Sequence, residues 1–266
     1  MRWWEYAGSA ALMGGSLAIR FTVDVSGPPD WQRGILLDDV IYDETLVRSP
    51  RAYQAWRDVG DVLYLSSFAW AGADPLIAGL AYDWDAALQM AAMNLEAFSV
   101  YSMMLSVSQL VVQRERPVTR ECDQAFGAQV GVSCGDGNAN RNRSFIGGHV
   151  GTVTTTAVMT CMHHAYMPLW GSPQADALPC ITWTAATAVT LASRTRTGQH
   201  NLSDNMLGMA AGVLAGMVPW SLHYAYRDAY PRNETSARGQ RLFIPTAVGV
   251  APLERGAQLT LSGLSL

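Results

Sequence analysis

The segment SRTRTGQHNLSDNMLG, residues 193–208, places Arg194, His200 and Asp204 within one short stretch. On a helix, residues four apart share a face. Asp204 can therefore reach back to one ring nitrogen of His200, fix its tautomer, and leave the other nitrogen free as a nucleophile or base. The plainer reading of the same spacing is an i,i+4 helix pair contributing roughly 0.2–0.5 kcal/mol. Gly198 allows the chain to turn, so Arg194 can end one helix while His200 begins the next. A guanidinium at that point offers a planar fork for phosphate oxygens.

Two further stretches carry similar chemistry. In SFIGGHVG, residues 144–151, His149 opens an apolar run directly after Gly147 and Gly148. Such a turn exposes backbone N–H groups, and a helix N-terminus behind it favours an anion. In RERP, residues 114–117, two arginines flank the end of an apolar segment, as a solvated flank or as an anion clamp. Taken alone, each of these two stretches is equally well read as an ordinary helix boundary.

These residues need elements to position them, and the charge pattern outlines those elements. The chain has 266 residues, is 49% hydrophobic and only 15% charged, against about 25% in an average protein. Its net charge of −4 argues against a nucleic-acid surface, and all 18 basic residues are arginine. Apart from histidines, residues 97–113, 144–175, 177–193 and 205–226 carry no charge. Each run is long enough, or nearly so, to cross a bilayer as a helix. Weaker candidates lie at 6–19, read as an uncleaved first helix, and at 62–82, where Asp74 and Pro75 interrupt the pattern. A mean hydropathy of +0.07 is low for a multi-span protein, so a soluble helical bundle with apolar helices is the competing reading.

The pattern predicts helices over about 86–113, 148–170, 178–195 and 201–226, and a short amphipathic one near 44–58. Pro117 ends the first of these. A long Gly- and Asn-rich loop, 118–143, follows, with Cys122 and Cys134 in it. Cys161 lies 12 residues after His149, and Cys180 lies 14 before Arg194. On antiparallel helices they stand level and can pair; four buried thiols is the alternative. His163 and His164 point about 100° apart on a helix and read as packing or interhelical hydrogen-bonding residues, as do Glu96 and Asp74. The expected division is an N-terminal helix and polar linker, 1–61, a helical core, 62–227, and an irregular C-terminal tail, 228–266.

Together the three stretches resemble the three-part signature of the type-2 phosphatidate phosphatase/vanadium haloperoxidase superfamily. The signature runs lysine, six residues, Arg-Pro; then Pro-Ser-Gly-His; then Ser-Arg, five residues, His, three residues, Asp. The third part matches in full at Ser193, Arg194, His200 and Asp204. Two positions depart from the pattern: Gln109 stands at the lysine position and Gly147 at the serine. The loop and CMHHAYMPLWG look like a bacterial subgroup of these proteins.

The resemblance implies an all-α, six-helix bundle, membrane-embedded, with its site facing the periplasm from the inner membrane. It implies hydrolysis of a lipid phosphate, or a related phosphomonoester or diphosphate, through a phosphohistidine. His200 would be the nucleophile, Asp204 its orienter, and His149 the general acid and then base. Arg116, Arg194 and the N–H groups of Gly147 and Gly148 would hold the phosphoryl oxygens, with no metal and no cofactor. With Gln109 and Gly147 in place of charge and hydroxyl, a weak or inactive relative acting as a binding or structural protein is the alternative. If the site is active, only an arginine could compensate for the lysine, Arg114 and Arg120 being nearest; if the pocket is merely crippled, restoring lysine at 109 and serine at 147 should raise activity. A vanadate-dependent haloperoxidase would use the same pocket.

Overall fold

The computed structural model describes residues 2–81, 83–132, 140–167, 169–224, 243–253 and 256–265, with side-chain detail up to residue 223. Among these, the body is all-α and has eight α-helices, where the sequence pattern suggested six. Six are long: α1 (Trp3–Thr22), α3 (Pro50–Ala81), α4 (Trp84–Val112), α6 (Gly148–Tyr166), α7 (Pro173–Arg196) and α8 (Leu202–Pro219). The short α2 (Asp38–Thr45) and α5 (Ala125–Gln129) lie in the connecting segments. Pro75 does not interrupt α3, which runs through it. In the tail, expected to be irregular, β1 (Phe243–Leu253) and β2 (Gly256–Ser265) pair antiparallel.

Helix α6 is the centre, packed by α3, α4, α7 and α8. Its threonine-rich sequence suits that place. Thr152, Thr154, Thr155 and Thr156 are buried, and each returns its hydroxyl to the carbonyl four residues earlier. The polar atom is thus satisfied within the helix and the methyl is left for packing.

Glycines set the approach of α8 to α6. A Cβ on Gly208 would lie 2.4 Å from the Gly147 carbonyl oxygen, and one on Gly212 would lie 2.4 Å from that of Gly151. Gly208, Gly212 and Gly216 share one face of α8, so its backbone seats on the Gly147 and Gly151 carbonyls and, at Gly216, on the Val158 side chain. This fixes the relative height of the two helices and brings both histidine-bearing helix starts to one end of the bundle.

The other end is tied by polar contacts. His164 bridges Asp176 (2.9 Å, Nδ1) and Asp74 (3.1 Å, Nε2), joining α6, α7 and α3. His163 meets Asn94 of α4 at 3.0 Å, and Glu96 meets His223 at 3.1 Å. Cys161 and Cys180 form a disulfide between α6 and α7, with Cα atoms 4.5 Å apart. Cys122 is also disulfide-bonded; Cys134 lies outside the described residues.

Among the described residues, two helices are long and apolar enough to cross a membrane, Trp84–Val112 and Leu202–His223. The sequence pattern suggested four such runs. Helix α6 carries five threonines and three histidines, and α7 carries five threonines with Asp176, Arg194 and Arg196, so both are more polar than their few charges suggested.

Candidate functional site

Helix α7 ends at Arg196, and Gly198, with φ +58°, turns the chain. A side chain there would be strained and would also meet the Tyr42 ring at 2.7 Å. Asn201 then caps α8, forming a capping box with Asp204. His200 therefore sits one residue before the cap, outside the helix. That placement overturns the expected pairing of Asp204 with His200, because the i,i+4 rule needs both residues to be helical.

Instead, His200 Nδ1 lies 2.6 Å from the Ser144 carbonyl oxygen. A carbonyl only accepts, so Nδ1 carries the proton and Nε2 keeps a lone pair. Asp204 acts at one remove. Its Oδ2 accepts from the Ser144 hydroxyl (2.6 Å) and from Asn201 N (3.1 Å), and its Oδ1 pairs with Arg114. The Ser144 backbone N–H also donates to the Arg114 carbonyl at 3.0 Å. Asp204 is thus a positioning residue that holds the segment whose carbonyl orients His200.

Arg114 does not face the anion position. It is fully buried, bound to Asp38 and Asp204, and stacked over Trp31 at 4.2 Å. Arg120 pairs with Asp39. Neither replaces the missing lysine. Gln109 donates to the Arg143 carbonyl at 3.4 Å and lines a separate hollow of about 10 Å³ with Arg20 and Arg143, room for one water. Its expected part in phosphate binding finds no support in that placement.

Gly147 is likewise committed to packing. Its N–H donates to the Asp204 carbonyl at 2.8 Å, so it is not free for a ligand. The first intrahelical bond of α6 runs from Gly151 N to Gly147 O (3.0 Å). The N–H groups of Gly148, His149 and Val150 precede it and form the open helix start.

The guanidinium charges of Arg116 and Arg194, together with the His149 ring, act on the His200 imidazole. Burial is the largest influence, and with those charges it holds His200 well below 6.5, hence neutral near pH 7. Arg116 bonds Gln199 Oε1, which follows the turn, and Gln199 Nε2 donates to the Tyr53 hydroxyl at 3.0 Å. Burial, then the nearby Arg194 charge, lowers Arg116 to about 10. Arg194 is seated over Gly60 of α3, where a Cβ would lie 2.7 Å from its Nη2. The Nε atoms of Arg116 and Arg194 are both buried without an acceptor. Arg194 has a carboxylate partner in Asp61 and Arg116 has none among the described residues, so each keeps one buried donor that an added acceptor could satisfy.

His149, in the first turn of α6, places Nε2 3.1 Å from Asp61 Oδ1 and stacks on Tyr64 with centroids 4.2 Å apart. Burial pushes it to about 4, against the raising effect of Asp61. The same Asp61 oxygen accepts from Arg194 Nη2 at 2.5 Å. The hydrogen bond from His149, then the charge of Arg194, holds the Asp61 carboxyl below the usual range.

The structure thus brings His149, His200, Arg116, Arg194 and the Gly148 helix start to one end of the bundle. Gln109 bonds the Arg143 carbonyl, the Gly147 N–H bonds the Asp204 carbonyl, and Asp204 reaches His200 only through Ser144. Sequence reasoning missed Asp61, Ser144 and Gln199. For Asp61 a signal existed: Arg57, Asp61 and Tyr64 share a helical face at the foot of an apolar run. For Ser144 none did, since it acts through its backbone carbonyl.

A family model described as the PAP2 superfamily matches residues 90–228. The chain belongs to the PAP2 superfamily. Neither a curated protein nor a solved structure matches it. The matched span holds all three motifs and ends just past α8, whereas Asp61 and Arg57 lie before it. Membership in the PAP2 superfamily supports a phosphatase- or phosphoesterase-type function.

Proposed function

We propose that this chain hydrolyses a phosphate monoester or diphosphate carried by a lipid, through a phosphohistidine at His200. The observation that carries the reading is the pair of acceptor-less guanidinium Nε groups beside a His200 whose Nδ1–H is fixed on Ser144. The Nε2 lone pair of His200 attacks phosphorus and the bond to the leaving oxygen breaks. His149 gives that oxygen its proton. Water then attacks the phosphohistidine with His149 as base, and inorganic phosphate leaves.

Arg116, Arg194 and the α6 helix start bind the phosphoryl oxygens and offset the charge that grows on them. His149 is neutral in the free protein. A phosphoryl dianion beside it favours the imidazolium, the form that can donate. A polar cavity of about 170 Å³, lined in part by Arg57, Arg116, Thr119 and Gln199, opens on the Arg116 side of the site, and neither histidine lines it.

A lipid substrate fits the surface. Leu88, Leu95 and Val111 on α4 and Leu207, Val213 and Leu214 on α8 are exposed, on the two helices that can span a bilayer. Cys122, on the connection that also carries Arg116, is disulfide-bonded. With Cys161–Cys180 toward the other end of the bundle also bonded, this favours maturation in an oxidising compartment, and we take the periplasmic side of an inner membrane for the face holding the site.

The test is turnover of a generic phosphate ester by the purified, detergent-solubilised protein. Wild type should release phosphate, and His200→Ala should lose activity by a hundredfold or more. Equal rates for the two would remove the proposal.

A further inference from the structure

One carboxylate in the site has no part in the chemistry above. Asp61 Oδ1 lies 2.5 Å from Arg194 Nη2 and 3.1 Å from His149 Nε2. These are the arginine that would bind a phosphoryl oxygen and the histidine that would serve the leaving group. A negative oxygen bridging the two is what a bound phosphoryl group would itself supply. We infer that Asp61 occupies the anion position in the free protein, and that the incoming phosphoryl group displaces it toward Arg57.

The geometry allows that exchange. The Asp61 side chain is 45% exposed, so solvent can receive it. Its second oxygen is already 4.0 Å from Arg57 Nε, one helical turn earlier on α3. Arg57 is 44% exposed and can follow the moving carboxylate. Arg194, by contrast, is 3% exposed, so the cation stays while its anionic partner changes. A buried arginine is costly without a counter-charge. An internal carboxylate supplies one until substrate arrives, and is lost from that position when it does.

This inference rests on the reading of the pocket as a phosphoryl site, and its consequence is a penalty on anion affinity. Each anion that binds must first break the contacts of Asp61 with Arg194 and His149. Hydrogen bonds to charged groups are strong enough that removing this competitor should tighten binding roughly tenfold to a hundredfold.

The experiment is calorimetric titration of the full, detergent-solubilised chain with inorganic phosphate, for wild type, Asp61→Asn, Asp61→Ala and Arg194→Ala. Wild-type helical circular dichroism in each variant confirms folding. The inference expects both Asp61 variants to bind phosphate at least tenfold more tightly than wild type, and Arg194→Ala to bind it more weakly. If Arg194→Ala weakens binding but the Asp61 variants match wild type or bind less well, Asp61 is a fixed partner of His149 and the displacement is refuted. If Arg194→Ala and both Asp61 variants all leave phosphate binding unchanged, the inference falls together with the phosphoryl pocket itself.

Discussion

Putting the family's serine back at position 147 should damage the protein rather than repair it. A Cβ there would lie 2.5 Å from Asn205 Oδ1, 3.0 Å from Asn205 Cα and 3.2 Å from the Asp204 carbonyl oxygen. Two of these are backbone atoms of α8 and cannot rotate away. The third belongs to a fully buried side chain whose Nδ2 donates to Thr195 Oγ1 at 3.0 Å. To admit a Cβ, α6 and α8 must part, which lengthens the bond from Gly147 N to Asp204 O. Overpacking costs about 1–3 kcal/mol and a weakened hydrogen bond about 1 kcal/mol more, so Gly147→Ser should lose roughly 2–4 kcal/mol. That corresponds to a fall in melting temperature on the order of 5–15 °C. Thermal unfolding followed by circular dichroism in detergent measures it, with phosphate release measured alongside. Adding Asn205→Ala should recover part of the loss, because it removes the Oδ1 contact but not those to the backbone. A Gly147→Ser protein that melts like wild type and turns over faster would refute the packing argument.

Arg114→Leu would leave Asp38 and Asp204 buried without their cation, so stability should fall by about 3–5 kcal/mol, read as a large drop in melting temperature or loss of folded protein. His149 is held at about 4 and His200 well below 6.5, so between these values and 6.5 the unfolded chain binds more protons than the folded one. Stability should therefore fall as pH drops from 6.5 toward 4, and His149→Gln should make the melting temperature less dependent on pH in that window. Removing Cys161–Cys180, which closes a loop of sequence separation 19, should cost about 3 kcal/mol, measured by unfolding of a Cys161→Ala/Cys180→Ala double variant against wild type.

Much of the scaffold was legible in the sequence because apolar runs and their charged borders mark helices directly. Residues 86–113 and 201–226 were read to within a few residues of α4 and of α8 with its short extension at Trp220–Tyr224. Helix rise shows that Cys161 and Cys180 can stand level, leaving bonded and free thiols both open, and the structure bonds them. The count of helices did not, because α2 and α5 are too short to show a period. At the candidate site, His200 and Arg194 stood out by residue type and spacing, whereas His149 and Arg116 were singled out by the family resemblance. Asp204 was assigned the wrong partner because the spacing does not show where the helix begins, and the cap at Asn201 leaves His200 outside it. The meaning of Gly147 was hidden for a different reason. Its neighbour Asn205 is distant in sequence, and only the α6–α8 contact reveals that a side chain has no room there.

The central claim is that His200 is a nucleophile, and the most direct measurement is covalent. Protein mixed with a phosphate ester is quenched in base, where phosphohistidine survives, and the phosphorylated peptide is located by mass spectrometry. The account predicts phosphate on His200, and with an aryl ester whose leaving group needs no proton the adduct accumulates when His149→Gln slows its hydrolysis. Steady turnover with no adduct on His200 in either protein would contradict it.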